Sequence, residues 1–196
     1  MIDERLQKQI DFILKIDEEK NVIRQTHLSH HGRRENDAEH AWHMAVMAYL
    51  LKEYSNEDID IGKTMIMCLI HDIVEIEAGD TYAYDTEGKK SQKEREEKAA
   101  DHLFALLPKD QSEELRNIFE EFEACNTAES KFARAMDNFQ PLLLNHSNGG
   151  GDWREHGVTK SMIETRQSKT KPGSNKLYEV TEEILNGHVE NGDLPE

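Results

Sequence analysis

Apolar residues return at every third or fourth position along most of the chain. No stretch shows the alternation of period two that a half-buried strand needs. Ile2, Leu6, Ile10, Ile13 and Leu14 form one stripe, so the spacing predicts a first amphipathic helix. An irregular polar stretch follows over residues 21–36. Asn36, with Glu39 three residues on, reads as an N-cap and its capping-box partner. It opens a second helix whose apolar positions are Trp42, Val46, Tyr49 and Leu50. Ile61, Met65, Leu69 and Ile73 predict a third. After Gly79 and a charged loop over 81–90, Ser91 and Glu94 read as a second capping box, starting a helix through Ala99, Leu103 and Leu106 that stops near Pro108.

Leu115, Ile118, Phe119 and Phe122 mark the next helix, and Phe132, Met136, Phe139 and Leu143 the one after it, kinked at Pro141. Residues 148–152 read as a flexible glycine connection. Two shorter helices are expected around 158–168 and 175–186, the second closed by Gly187 as the residue beyond its C-cap. These elements describe an all-α fold, one helical domain over 1–187, followed by a frayed polar tail over 188–196.

Charge narrows the function. Of 196 residues, 24 are Lys or Arg and 40 are Asp or Glu, a formal net charge of −16. Such a surface repels polyanions, which argues against nucleic acid and anionic membranes as partners. A small phosphorylated substrate is compatible, because local arginines or a metal ion reverse the sign inside a pocket. The longest apolar run, Ala45 to Leu51, is seven residues, too short to span a bilayer. The first residues are charged, with no apolar signal region, and Cys68 and Cys125 are far apart with no CxxC. The expectation is a soluble, cytoplasmic protein.

Four residues stand out chemically. His71-Asp72 ends the most apolar helix, His40 lies one turn into the second, and Asp137 sits mid-helix between apolar neighbours. A lone His-Asp pair also reads as a helix cap beside solvent. Adjacent helical residues diverge by about 100°, so both can face one ion only from a helix end or a distorted turn. Two imidazoles and two carboxylates from three helices would make a site for a divalent ion, with positions left to water or substrate; such mixed ligation suits Mn, Co, Fe, Ni or Mg. Glu75 is four residues after His71, on the same face if the helix continues. His43 reads either as a group near the ion or as an exposed helix histidine. Arg24, Arg33 and Arg34 are the cations nearest in sequence; the last two bind phosphate or neutralise Glu35 and Asp37.

The order His40, His71-Asp72, Asp137 resembles that of the HD-domain metal-dependent phosphohydrolases. The string from His71 to Asp80 looks like the HDxxExxxGD signature of their 5′-deoxynucleotidase branch, and Glu35 to His40 like its ENxxEH entry. The resemblance implies a helical HD-domain bundle in which His40, His71, Asp72 and Asp137 hold one divalent ion (Mn, Co, Mg, Fe, Ni or Zn). It further implies that Glu75 orients or deprotonates the attacking water, that Asp80 handles substrate and can donate a proton, and that Arg24 binds phosphate. The family often shows Arg-Trp where this chain has Arg24-Gln25. The implied reaction is removal of phosphate from (deoxy)nucleoside 5′-monophosphates by a homodimer, with the apolar face of the last helices as a candidate interface. The alternatives are hydrolysis of another phosphate ester, a nucleoside triphosphate or an alarmone, and a non-catalytic domain that binds metal or nucleotide. The absence of a GYP motif disfavours cyclic dinucleotides, and an oxygenase would need further ligands, for which only His43 and Glu75 are candidates.

Overall fold

The computed structural model describes residues 2–196. Asp3 caps the first helix, α1 (Glu4–Ile16), by accepting from the Leu6 amide at 2.9 Å. After a 3-10 turn (Asp17–Asn21), the irregular stretch contains an antiparallel ribbon that hydropathy did not announce: β1 (Ile23–His27) and β2 (Arg34–Asn36), with Ile23 opposite Asn36 and His27 opposite Arg34. These strands are short, and Ile-Arg-Gln-Thr-His does not alternate, so main-chain pairing rather than an apolar face defines them. The chain reverses through His30 and His31, both in the left-handed region (φ 59° and 57°).

The Asn36–Glu39 capping box opens α2 (Asp37–Leu51) as expected. Asp60 caps α3 (Ile61–Ile70), which ends in a turn over 71–74 and continues as one short turn of helix, α4 (Glu75–Ala78). There follow α5 (Lys89–Phe104), α6 (Lys109–Ala124), α7 (Ala128–Ser147), α8 (Gly151–Glu155), α9 (Lys160–Gln167) and α10 (Asn175–Glu190). The main core lies where α2, α3 and α7 meet, around Met44, Ala48, Met67, Cys68, Phe132, Ala133 and Met136. A second cluster joins Phe12 of α1 to Ile73, Val74, Ala100, Phe104 and Phe119.

Several expectations are corrected. Trp42, Val46, Tyr49 and Leu50 face outward, and the buried side of α2 is His40, Ala41, Met44, Ala45, Met47 and Ala48. The helix is apolar on nearly every side, and its small residues go where α3 and α7 approach closely. α5 starts at Lys89 after Gly88, and Ser91 makes no capping box; its hydroxyl accepts from Arg95 Nε. α10 runs through Gly187 to Glu190, and beyond it Leu194 is only 2% exposed, packed into the main core. The apolar side of α10 is likewise in that core, with Leu177 and Leu185 buried, so it is not a free interface. The glycine connection is anchored: Asn148 accepts from the His31 amide at 2.8 Å and donates to the Leu28 carbonyl at 3.0 Å. No described helix is long and apolar enough to cross a membrane.

Candidate metal centre and cleft

Three helices bring the four singled-out residues together. His40 enters from the first turns of α2, and Asp137 from the middle of α7. α3 has ended at Ile70, and in the turn that follows, His71 and Asp72 face the same point, as adjacent residues can only at such an end. His71 Nε2 lies 2.9 Å from Asp72 Oδ2 and 3.9 Å from Asp137 Oδ1. His40 Nε2 lies 3.4 Å from Asp137 Oδ1 and 3.9 Å from Asp72 Oδ2.

The far side of each ring fixes its tautomer. His40 Nδ1–H donates to Gln140 Oε1 at 2.9 Å, and Gln140 in turn donates to Glu35 Oε2 at 2.9 Å. His71 Nδ1–H donates to the Cys68 carbonyl at 3.0 Å. Each Nε2 therefore turns a lone pair into the centre, and both are buried without a hydrogen-bond partner among the described residues. Leaving such atoms orphaned costs roughly 1–3 kcal/mol each. Two imidazole lone pairs facing two carboxylates are the donor set a divalent cation takes, held by partners behind the ligands as metal-binding histidines usually are.

The electrostatics agree for His40, Asp72 and Asp137, while in the absence of an ion Asp72 draws a proton toward His71. Burial, with help from Arg24, pushes His40 down to about 4, so the ring is neutral at physiological pH. Burial also acts to lower His71, but Asp72 outweighs it and the net shift is upward. Asp72 and Asp137 stay ionised against the cost of burial: His71 and Arg24 lower Asp72, while His40, Arg166 and Arg134 lower Asp137.

Beside this centre lies a set of carboxyls around one guanidinium. Arg24 Nη1 donates to Asp72 Oδ2 at 2.8 Å and Asp37 Oδ1 at 3.0 Å, and its Nε is 3.6 Å from Glu35 Oε1. One cation cannot neutralise so many acids. Burial raises Glu35 to about 7, Asp37 to about 7 and Glu19 to about 8, with neighbouring carboxylates adding to the shift. Glu75 opens α4 and is pushed up to about 12 by burial, then by Asp72 and Asp37. Gly79 (φ 76°) makes the turn that presents Asp80, whose pKa burial also raises. Carboxylate oxygens of Asp37, Glu75 and Asp80 all lie within 4.8 Å of one another.

Comparison with known proteins fits this geometry. The family model for the HD domain matches residues 16–178. The chain belongs to the HD-domain family. It is 32% identical over 111 residues to the human 5′-deoxynucleotidase HDDC2, covering 57% of this chain and 53% of that protein. The fission-yeast (Schizosaccharomyces pombe) 5′-deoxynucleotidase hdd1 is 26% identical over 119 residues, covering 58% of this chain and 59% of its own length. The chain thus spans about half the length of the first of these curated relatives. A crystal structure of a predicted metal-dependent phosphohydrolase from Magnetospirillum magnetotacticum MS-1 superposes with a TM-score of 0.95 at 44% identity, covering all of both chains. A conserved hypothetical protein from Pyrococcus furiosus, at 23% identity and TM-score 0.59 over 90% of this chain and 99% of its own, shares the fold.

A cleft opens from the HD-domain centre. Arg24, Asp72, Glu75, Asp80 and Asp137 line one end of it, and Tyr82, Tyr84, Trp153 and Ile163 give it apolar walls. Arg33 and Arg34 lie outside: Arg33 pairs with Glu39, and Arg34 with Gln25 and with Glu155 at 3.1 Å. The neutralising of Glu35 and Asp37 falls to Arg24 instead. His43 faces no ligand; its Nδ1 accepts from Gln140 Nε2 at 3.1 Å, one step behind His40.

Sequence reading missed Asp37, Arg134, Gln140 and Arg166. Arg134 and Gln140 each stand three residues from Asp137 on α7, a spacing that offered a signal. Arg134 Nη1 donates to Asp137 Oδ2 at 3.2 Å while its guanidinium stacks on Phe122. Asp37 read only as a carboxylate for Arg33 or Arg34 to neutralise, whereas it pairs with Arg24 at 3.0 Å. Arg166 Nη2, from α9, is 3.6 Å from Asp137 Oδ1; the helix was expected, but no signal tied Arg166 to the site.

Proposed function

We propose that this HD-domain chain is a divalent-metal-dependent phosphomonoesterase that removes the 5′-phosphate from (deoxy)nucleoside monophosphates. The observation that carries the reading is the convergence of two buried, unpartnered imidazole nitrogens on Asp72 and Asp137, with Glu75, Asp80 and Arg24 at the same end of the cleft. The names of the curated relatives support the substrate class.

In this reading His40, His71, Asp72 and Asp137 hold one divalent ion. Such an ion lowers the pKa of bound water and polarises a phosphoryl oxygen. Arg24 orients Asp72 and turns its positive charge toward the phosphate, in a region otherwise rich in carboxyls. Glu75 and Asp80 act as a proton-sharing pair. Water attacks phosphorus, the P–O5′ bond breaks, the pair takes the proton of the water, and the leaving alkoxide oxygen receives one from it. The nucleoside lies along the Tyr82, Tyr84 and Trp153 walls.

The reading includes a homodimer, for which Trp42, Val46, Tyr49 and Leu50 on α2 and Ile66 and Leu69 on α3 offer exposed apolar area. It also includes a reducing cytoplasmic setting, consistent with both cysteines being free.

The test is phosphate release from dAMP, dTMP, dCMP and dUMP beside the matching ribonucleotides, using chelated protein resupplied with Mn, Co or Mg. Metal-dependent release that Asp72→Ala and Glu75→Gln abolish is the expected result. Silence on every monophosphate from metal-loaded protein overturns it.

A further inference from the structure

A second cavity, of about 390 Å³, adjoins the cleft, and Tyr84, Arg134, Asp137, Asn138 and Arg166 line both. Its lining carries four cationic side chains, Lys89, Arg134, Arg166 and Lys169, against the single carboxylate of Asp137. In a chain of net charge −16 this is a local reversal of sign. Arg134 is engaged by Glu123 and Asp137, and Arg166 stands 3.6 Å from Asp137. Lys89 and Lys169 have no carboxylate within ion-pair distance among the described residues.

These cations come from different elements. Lys89 is the first residue of α5, whose first turn holds no acid; just before it, Asp85 accepts from the Glu87 and Gly88 amides, each at 3.0 Å. Lys and the positive end of a helix repel each other, and the Asp85 carboxylate at that end offsets the repulsion only in part. Lys169 follows the end of α9. They crowd one another: burial, then Arg166 and Lys169, hold the Lys89 ammonium below its usual value. Gathering like charges on one cavity wall costs free energy that a bound anion would recover.

We propose that this cavity is a subsite for a second phosphate, carried on the leaving group of the substrate, so that the enzyme prefers nucleoside 3′,5′-bisphosphates to simple 5′-monophosphates. The proposal rests on the phosphomonoesterase reading for its chemistry. The 5′-phosphate lies at the HD centre and is the one released, while the 3′-phosphate reaches past Asp137 to Lys89 and Lys169 and leaves intact on the nucleoside.

The experiment compares 2′-deoxyadenosine 5′-monophosphate with 2′-deoxyadenosine 3′,5′-bisphosphate on metal-loaded protein. Both turnover and calorimetric binding are measured, for the natural chain and for the double variant Lys89→Gln, Lys169→Gln. Both lysines are exposed, so the variant keeps the fold. The bisphosphate should show a KM and a Kd roughly ten- to hundredfold lower than the monophosphate, the size expected of charge-assisted bonds. The double variant should erase that advantage and leave monophosphate turnover unchanged, and added salt should erode it in the natural chain alone. Equal constants for the two ligands, or a preference that survives the double variant, overturn the subsite while leaving the monoesterase standing. If neither ligand turns over, the monoesterase reading falls, and the calorimetry still decides: lysine-dependent tighter binding supports the subsite, and equal binding overturns it.

Discussion

The two faces of α2 share one backbone and a similar hydrophobicity, yet they do opposite work. The inner face carries His40, Ala41, Met44, Ala45, Met47 and Ala48, all buried, and the outer face carries Trp42, Val46, Tyr49 and Leu50, all more than a third exposed. The larger side chains are outside. What decides is the space between α2, α3 and α7, which admits alanine and the adaptable thioether of methionine but no indole. Close approach is also what lets His40, one turn into α2, reach Asp137 on α7 at 3.4 Å. Candidate metal centre and tight packing are therefore one feature, and the predictions below probe how far the two faces differ.

The largest effect belongs to the proposed ligand on the inner face. His40→Ala removes one of two inward-facing lone pairs and should lower metal-dependent phosphate release by at least about a thousandfold, a loss of roughly 4 kcal/mol in transition-state stabilisation. Elemental analysis should show the metal lost in parallel, with circular dichroism still helical. Activity retained at a tenth of the original would remove His40 from the centre. One turn further along, Met44→Ala leaves a cavity among buried side chains. It should cost about 2–5 kcal/mol in chemical denaturation without moving KM for substrate.

Next in size is a dependence on pH and metal. Glu19, Glu35 and Asp37, raised in the fold to about 8, 7 and 7, bind protons in the native chain that the unfolded chain has already released. The stability these groups give metal-free protein should therefore be fully present near pH 4, fall most steeply as pH rises to 8, and fall more gently above, where Glu75, raised to about 12, still holds its proton. Because the three acids share Arg24 and one low-dielectric region, their shifts do not simply add, and the loss should be on the order of 2–3 kcal/mol. A divalent ion at the centre should flatten the slope. Calorimetric melting of chelated and metal-loaded protein across that range checks it; a metal-free melting temperature that rises with pH would contradict it.

Gln140 is the support behind His40. Gln140→Met keeps the volume but removes the acceptor for His40 Nδ1–H and the donor to Glu35. Metal affinity should drop about 10–100-fold, as for other groups that hold a metal-binding imidazole from behind. Competition with a chelator measures it, and unchanged affinity would mean that packing alone orients the ring.

How much of this was legible in the sequence depends on how local the cause is. The helices were, because their periodicity is written in each segment, and Asn36–Glu39 marked the start of α2 by an interaction across three residues. The motif residues from His71 to Asp80 came with their spacing. The β1–β2 ribbon was not legible: its pairing is made by main chain and a reversal at His30–His31, neither of which hydropathy records. The inward face of α2 was illegible because the choice between two apolar faces is made by α3 and α7. Arg166 was illegible for the same kind of reason, since only the return of α9 across the cleft brings it to Asp137.

The smallest effect should come from the outer face. Trp42 is 63% exposed, and among the described residues its indole stacks only on the neighbouring His43 ring, at 6.1 Å between centroids. Trp42→Ser therefore removes little buried area from the monomer, and unfolding free energy at low protein concentration should change by less than about 0.5 kcal/mol. That is a fraction of the cost at Met44, two residues away on the same helix. The proposed dimer adds a second readout, because an isologous contact through this face loses the same indole from both subunits. Sedimentation should then show a lower mass for the variant at concentrations where the natural chain is dimeric. A loss of 2 kcal/mol or more in the isolated monomer would instead put Trp42 in a packed contact, and the contrast between the two faces would disappear.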